Sequence, residues 1–208
     1  MDQDLPKWLK WARELQSLSQ TGLTFAQNPY EIERNERLAQ IASEILEMHT
    51  GLDREELFDD FTKQPGYATP KIDVRGAVLH NGQILLVKER SDQKWCMPGG
   101  WVDVGEAPAR AVAREVQEES GFEVEVKKVI AVLDANRSGR PLSLYHAFKI
   151  IFQCEITGGQ ASESYETGGV DFFDFEHVPE LSENRTNQHH LKEVQAHRDN
   201  PNRPTAFD

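Results

Sequence analysis

Apolar residues in the first third of the chain recur at helical intervals, whereas those in the remainder mostly alternate or cluster as strands do. Trp8, Trp11, Leu15 and Leu18 follow at spacings of three, four and three, which puts them on one stripe of a helix. A second helix has a clearer start. Asn28 is a capping residue type, Pro29 suits a first turn, and Glu31 stands where a capping-box partner would. Leu38, Ile41, Ala42, Ile45 and Met48 form its apolar face. A third, short helix is expected from Asp53, with Glu56 three residues on, to Phe61, before Pro65 and Gly66 interrupt. Short helices do not bury such stripes alone, so this segment is expected to pack on the rest of the chain or on a second copy.

From Lys71 the period changes. "KIDVRGAVL" alternates, Asn81-Gly82 is a hairpin turn, and "QILLVKE" returns as the partner strand. Further strands are expected in "EVEVKKVIAVLDA", "YHAFKIIFQCEI" and "GGVDFFDF", with "SGRP" and "TGG" as turns between them. A last helix is expected from about Arg185 to His197, followed by a polar tail with two prolines, 198–208, expected to be loose.

Composition narrows the function. The chain has 208 residues, 38% of them hydrophobic, enough for a real core. No apolar run approaches the roughly 18 residues of a membrane span, and "MDQDLPKW" lacks the basic start and apolar stretch of a secretion signal. A cytoplasmic location is the default expectation. Cys96 and Cys154 lie in strand-like sequence and are expected as small buried residues rather than a disulfide or metal pair. A formal net charge of -12 argues against general affinity for nucleic acid or anionic lipid, and it would also repel an anionic small substrate unless cations or local arginines compensate. The helical segment is itself acidic, which speaks against a DNA-reading module. Trp8 and Trp11 are expected in a core rather than as a ligand platform.

One stretch needs a special account. In "REVQEESGF", Glu115, Glu118 and Glu119 fall at i, i+3 and i+4 near the end of an expected helix over about 107–120, with Pro108 in its first turn and Gly121 just past its end. Ala109, Val112 and Val116 form the expected buried stripe. Glu115 and Glu119 repel, which costs about a few tenths of a kcal/mol, and carboxylates oppose the dipole at a helix C-terminus. An acidic face left in water is the ordinary explanation. Three convergent carboxylates are also the oxygen-only donors that suit Mg²⁺ or Mn²⁺.

Upstream stands "MPGGWVDVGEAPARAVA". Gly100 is followed after five residues by Glu106, and seven residues later come Arg114, Glu115, Val116, then Glu118, Glu119, Gly121 and Phe122. This resembles the Nudix box at every fixed position. The resemblance implies an α/β fold, a Nudix α/β/α sandwich with a mixed sheet over 67–197, preceded here by a small all-helical domain over 1–66. It implies a metal cradle of Glu115, Glu118 and Glu119, to which the backbone at Gly100 contributes in some members. Glu106, Arg114 and Gly121 are implied as structural, with Arg114 paired to a box glutamate, Glu106 foremost. The implied reaction is metal-dependent hydrolysis of a nucleoside diphosphate linked to a group X, giving a nucleoside monophosphate and phosphorylated X.

The box leaves the general base open: Glu118 is one candidate and a later-loop glutamate another, with Glu166 preferred over Glu163 in "SESYETGGVDFF". Arg75, Lys88, Arg90 and Arg185 are the basic residues nominated for phosphate contacts, Arg75 first. His146 is expected packed and hydrogen-bonded, and the adjacent His189 and His190 make a poor metal pair on a helix. The helical segment, "DVRGAV", "ETGGVDFFDF" and "LSENRT" are similar to a bacterial Nudix subgroup that includes CDP-choline and ADP-ribose pyrophosphatases. That similarity implies a CDP-choline or ADP-ribose type of substrate and a homodimer whose helical segment borders the active site. The alternatives are an RNA 5′-end or exonucleolytic enzyme, or a non-catalytic nucleotide sensor; sensors typically have an eroded box and a basic DNA-binding domain, unlike this chain.

Overall fold

The computed structural model describes residues 6–135 and 144–208. The expected turn at 138–141 and the first five residues of the amino terminus lie outside them. The chain divides into two compact units, Met1–Pro70 and Lys71–Asp208.

The first unit is three helices, α1 (Lys7–Phe25), α2 (Pro29–Thr50) and α3 (Arg54–Lys63). The Asn28 side chain accepts from the Glu31 amide at 3.0 Å, while Glu31 reaches past the cap to the Gln27 amide at 2.7 Å. Asp53 accepts from the amides of Glu55 and Glu56 and so starts α3. Between α1 and α2 the buried residues are mostly small: Leu9, Ala12 and Ser19 from one, Ala39, Ala42, Ser43 and Leu46 from the other. Ser19 donates to the Asn35 carbonyl at 2.8 Å, which fixes the pair. The buried stripe of α1 is thus offset from the aromatic one. Trp8 stacks on His49 at 4.6 Å, but Trp11, Leu18 and Met48 are exposed, so Trp11 is not a core residue of the single chain.

The second unit holds β1 (Lys71–His80), β2 (Gln83–Glu89), β3 (Trp95–Cys96), α4 (Pro108–Ser120), β4 (Phe122–Asp134), β5 (Ala147–Gly159), β6 (Thr167–Phe173), α5 (Gln188–Asp199) and β7 (Ala206–Phe207). Asn81 and Gly82 both take positive φ, 51° and 83°, the turn geometry that returns β1 into β2. The strand order is β3-β2-β1-β5-β4-β7, with β6 also on β2. The sheet is mixed: β1 runs parallel to β5, and β5 antiparallel to β4. Alternation along β1 assigns its faces. Val74 and Val78 pack with Val112 and Val116 of α4, whereas Ala77 joins Ile151 and the α5 residues Leu191 and Val194 on the other side. The unit is an α/β/α sandwich.

Three expectations change. Ala109 is exposed and Ala111 is buried in its place, because α4 meets the sheet only after its first turn. The last helix starts at Gln188, capped by Asn187 with His190 closing a capping box. The tail is not loose throughout: Ala206 and Phe207 pair with Ala131 and Val132, and Thr205 donates to the Val129 carbonyl at 2.9 Å. That pairing completes the β4 edge through backbone groups, which a two-residue strand does not announce in its side chains. Cys96 and Cys154 are free and buried. Among the described residues no helix is long and apolar enough to cross a membrane.

Candidate active site

The segment between β3 and α4 is laid against β1 by backbone bonds, Gly76 N–H to the Pro98 carbonyl at 2.8 Å, Val74 N–H to Gly100 at 2.9 Å and Val102 N–H to Ile72 at 3.1 Å. At Gly99 this leaves no room for a side chain: φ is 144°, and a Cβ would fall 2.0 Å from the Val74 carbonyl oxygen. The Gly99 amide instead donates to Glu119 Oε2 at 2.8 Å. At the far end of α4, Gly121 caps the helix at φ 78°, its amide bonded to the Gln117 carbonyl. Two glycines thus meet near the C-terminal end of the carboxylate turn, one tying the loop to Glu119 and the other stopping the helix two residues later.

Arg114 is the hub of that turn. Its Nε and Nη2 grip Glu106 at 3.1 and 2.9 Å, and its Nη1 donates to Glu115 at 2.9 Å and Glu118 at 3.0 Å. Glu106 is held below the usual carboxylate range by this pairing. The other carboxylates are short of positive charge. Burial raises Glu115 despite Arg114. Burial pushes Glu119 up to about 7, against the pull of Arg75 and the Gly99 amide.

Arg114, Glu115, Glu118 and Glu119 wall a cleft of about 850 Å³ that also takes in Gly100, Glu166, Arg75 and Arg185. Glu166 is exposed there. Among the described residues no three acidic, histidine or cysteine side chains already converge on one point. The cause is visible, since Arg114 Nη1 lies between Glu115 and Glu118 and Glu119 is turned to Gly99. The donor set nonetheless fits a hard divalent cation: all three are carboxylates on one turn, and the half-buried Glu115 and buried Glu119 are raised because desolvation outweighs the nearby arginines. The Gly100 carbonyl is already engaged with Val74 N–H, leaving one lone pair, while its Cα side faces Glu115, whose carboxyl would be 3.0 Å from a Cβ there.

The nominated basic residues separate into three groups. Arg75 is buried with its fork spent on Asp73, Nε at 3.0 Å and Nη2 at 2.8 Å, and Nη1 3.3 Å from the Met97 carbonyl. Those partners suit a scaffold more than a phosphate clamp. Arg185 stands at the cleft, its Nε 3.1 Å from Glu89. Lys88 and Arg90 are not among the cleft walls, and Arg90 pairs with Glu163 at 3.1 Å and the Ser164 carbonyl. His146 sits 3.4 Å from Asp134 outside the walls, and His190 is buried in the α5 cap.

Sequence reasoning missed Lys149, Asp73 and Glu89. Lys149 is buried, its Nζ 2.9 Å from Asp73 and 2.9 Å from the Arg185 carbonyl. Burial, reinforced by Arg75, lowers it to about 8, while Arg75 and Lys149 together hold Asp73 below the usual range despite its burial. The signal was a lysine inside the apolar run "AFKIIF" and a carboxylate two residues before an arginine on β1.

The carboxylate turn, its arginine and the glycine loop invite comparison with known proteins. Residues 70–194 match the family model of the NUDIX domain, and residues 6–61 match that of a UDP-X-like N-terminal oligomerisation domain. The chain belongs to the Nudix family of hydrolases. It is 37% identical over 202 residues to a Bacillus subtilis protein named putative ADP-ribose pyrophosphatase YjhB, covering 97% of each. A Methanocaldococcus jannaschii ADP-ribose pyrophosphatase is 32% identical over 127 residues, 59% of this chain and 73% of that one. A solved structure of a UDP-X diphosphatase superposes with a TM-score of 0.63 at 31% identity, covering 97% of this chain and 98% of its own. This Nudix chain therefore has relatives over nearly its full length, both of its matched segments included.

Proposed function

We propose that this Nudix hydrolase cleaves the diphosphate of a nucleoside diphosphate linked to X, giving a nucleoside monophosphate and phosphorylated X. The observation that carries the reading is the turn of three carboxylates, Glu119 buried, Glu115 half-buried and both undercompensated, in the wall of a cleft that also holds Arg185. Glu115, Glu118 and Glu119 would hold Mg²⁺ or Mn²⁺, with the Gly100 backbone beside them. When bound, the cation supplies Lewis acidity and charge screening at the diphosphate. Arg114 fixes the rotamers of Glu115 and Glu118 from the Glu106 side, so the ligands are held before substrate arrives. Glu118, exposed at the cleft, and Glu166 on the later loop are the candidates to take a proton from water, supported by their exposure at its wall. Arg185 offers a cation to a phosphate oxygen, while Arg75 acts on the site through its charge beside Glu119.

The names of the full-length relatives favour substrates of the ADP-ribose and UDP-X type, and CDP-choline remains a member of the same chemical class. A panel of these compounds in ¹⁸O water with Mg²⁺ or Mn²⁺ tests the reading, since the labelled product identifies the substrate and the attacked phosphorus together. Release of a nucleoside monophosphate is expected; no release from a broad panel with either metal overturns it. The working form is a homodimer joined through the helical unit, supported by the oligomerisation-domain match and by exposed Trp11 and Leu18 on α1. Light scattering at micromolar concentration is expected to give twice the chain mass of 23.7 kDa, and a monomer would count against it. The free, buried cysteines fit a reducing, cytoplasmic setting.

A further inference from the structure

A substrate of the proposed kind has a diphosphate in the middle and a larger group at each end. The cleft has a matching layout that the carboxylates alone do not explain. Two large aromatic side chains wall it while remaining open to solvent: Trp101 is 51% exposed and Tyr165 96%. Their positions along the chain tie them to opposite ends of the carboxylate turn. Trp101 follows Gly100, whose backbone abuts the Glu115 carboxyl, and successive Cα atoms lie about 3.8 Å apart. Tyr165 lies two residues before Thr167, whose hydroxyl donates to the Glu119 carbonyl at 2.7 Å.

The two aromatics differ in how firmly they are held. The backbone around Trp101 is bonded to β1 on both sides, through Gly100 and Val102, and Trp101 itself bridges Asp73. Lys71 Nζ lies 6.0 Å from its ring and 4.1 Å from that of Tyr145, which adds a cation at this rim. Tyr165 sits on a turn whose side-chain ties come from Ser164 and Thr167. A flat ligand stacks at least ordering cost on the platform that is already fixed, and an indole offers the largest face.

We infer that Trp101 is the stacking platform for the nucleobase, with Tyr165 bordering the X group at the other end of the carboxylate turn. The inference rests on the pyrophosphatase reading and adds the end of the cleft at which the base sits. Every base has a π-face, so the platform sets affinity for a nucleoside end without choosing the base.

Calorimetry with AMP, CMP, GMP and UMP, each set against ribose 5-phosphate, isolates the base from the phosphate. The wild type is expected to bind its best mononucleotide at least ~10-fold tighter than ribose 5-phosphate, from the usual strength of base stacking on an aromatic side chain. Trp101→Ala should lose that ratio, Trp101→Phe should keep most of it, and Tyr165→Ala should retain it. Ribose 5-phosphate should bind all four proteins alike, which also reports that the variants fold. The inference is overturned by an unchanged ratio in Trp101→Ala, by equal weakening of both ligands, by loss of the ratio in Tyr165→Ala instead, or by the absence of any base-dependent difference in the wild type. Hydrolysis of the substrate panel by the wild type keeps the failure of the stacking site separate from failure of the reaction assignment.

Discussion

Two clusters of buried charge lie in the second unit, and they are built on opposite plans. Around Asp73 the account closes internally: Arg75 and Lys149 approach one carboxylate from two sides, and remaining lysine protons go to the carbonyls of Asn184 and Arg185. Around α4 it stays open, because a single guanidinium serves Glu106, Glu115 and Glu118, and among the described residues the Glu119 carboxylate accepts from the Gly99 backbone amide alone. The pKa directions follow the plans. Asp73 is held low by its cations, whereas Glu115 and Glu119 are raised by burial that outweighs the pull of Arg114 on the one and of Arg75 and the Gly99 amide on the other. A closed cluster is scaffold; an open one stores the electrostatic deficit that a cation and its phosphate ligand can fill.

The largest expected effect tests the open cluster. Glu119→Gln and Glu115→Gln should each lower turnover by at least ~100-fold, since loss of a ligand exceeds the usual cost of losing a supporting contact. The fold should survive, because glutamine at 119 still offers an oxygen to the Gly99 amide and sheds a carboxylate that burial disfavours. Steady-state kinetics beside a melting curve would decide it. Near-normal turnover in either variant would show that the cation sits elsewhere.

The contrast between the clusters also marks what the sequence discloses. The open one is mostly local: Glu115, Glu118 and Glu119 fall within one helical turn, so spacing alone brings them together, and only the glycine loop needs β1 to reach them. The closed one depends on strand register. Asp73 meets Lys149 only because β1 lies parallel to β5 with those two residues opposite, and no pattern within either strand states that partner. Arg75 shows the result. As a lone cation on a strand it reads as a phosphate ligand, yet its i−2 neighbour on the same face takes its fork. The individual helices and strands were legible because period-two and period-3.6 patterns are local properties of each element, whereas their stacking as a sandwich followed only from the resemblance to the Nudix box. Which of two stripes on α1 turns inward was not, since small Ala12 and Ser19 win the contact with α2 over Trp11 and Leu18 by allowing close approach.

Neutralising the closed cluster should give the opposite outcome to the open one. Asp73→Asn leaves two buried cations facing each other without a counter-ion, and breaking a buried pair costs about 3–5 kcal/mol. In a chain of this size that is a fall of roughly 10 °C in melting temperature. A variant that melts with the wild type would show that Arg75 and Lys149 do not depend on Asp73, and the distinction between the two plans would fail.

The smallest effect is the most discriminating, because it asks whether the closed cluster is held by attraction or merely tolerates its burial. Lys149 is lowered to about 8, first by burial and then by Arg75, with Asp73 pulling the other way. In the unfolded chain its amine returns to about 10.4. Between those values the unfolded chain carries the extra proton, so raising the pH through that window favours the fold, and below about 8 both states are protonated and the dependence disappears. Lys149→Met fills similar space and lacks the titration. The melting temperature of the wild type relative to this variant should therefore rise between about pH 8 and 10, by about 2–4 °C for each kcal/mol released. If Asp73 instead outweighs burial, the folded amine holds its proton above 10.4 and the relative stability of the wild type falls once the pH passes that value, with no rise before it. A flat or falling difference would mean that the closed cluster draws net stability from its charges, whereas a rise would mean that it holds Arg75 and the Arg185 loop in place at a cost in stability.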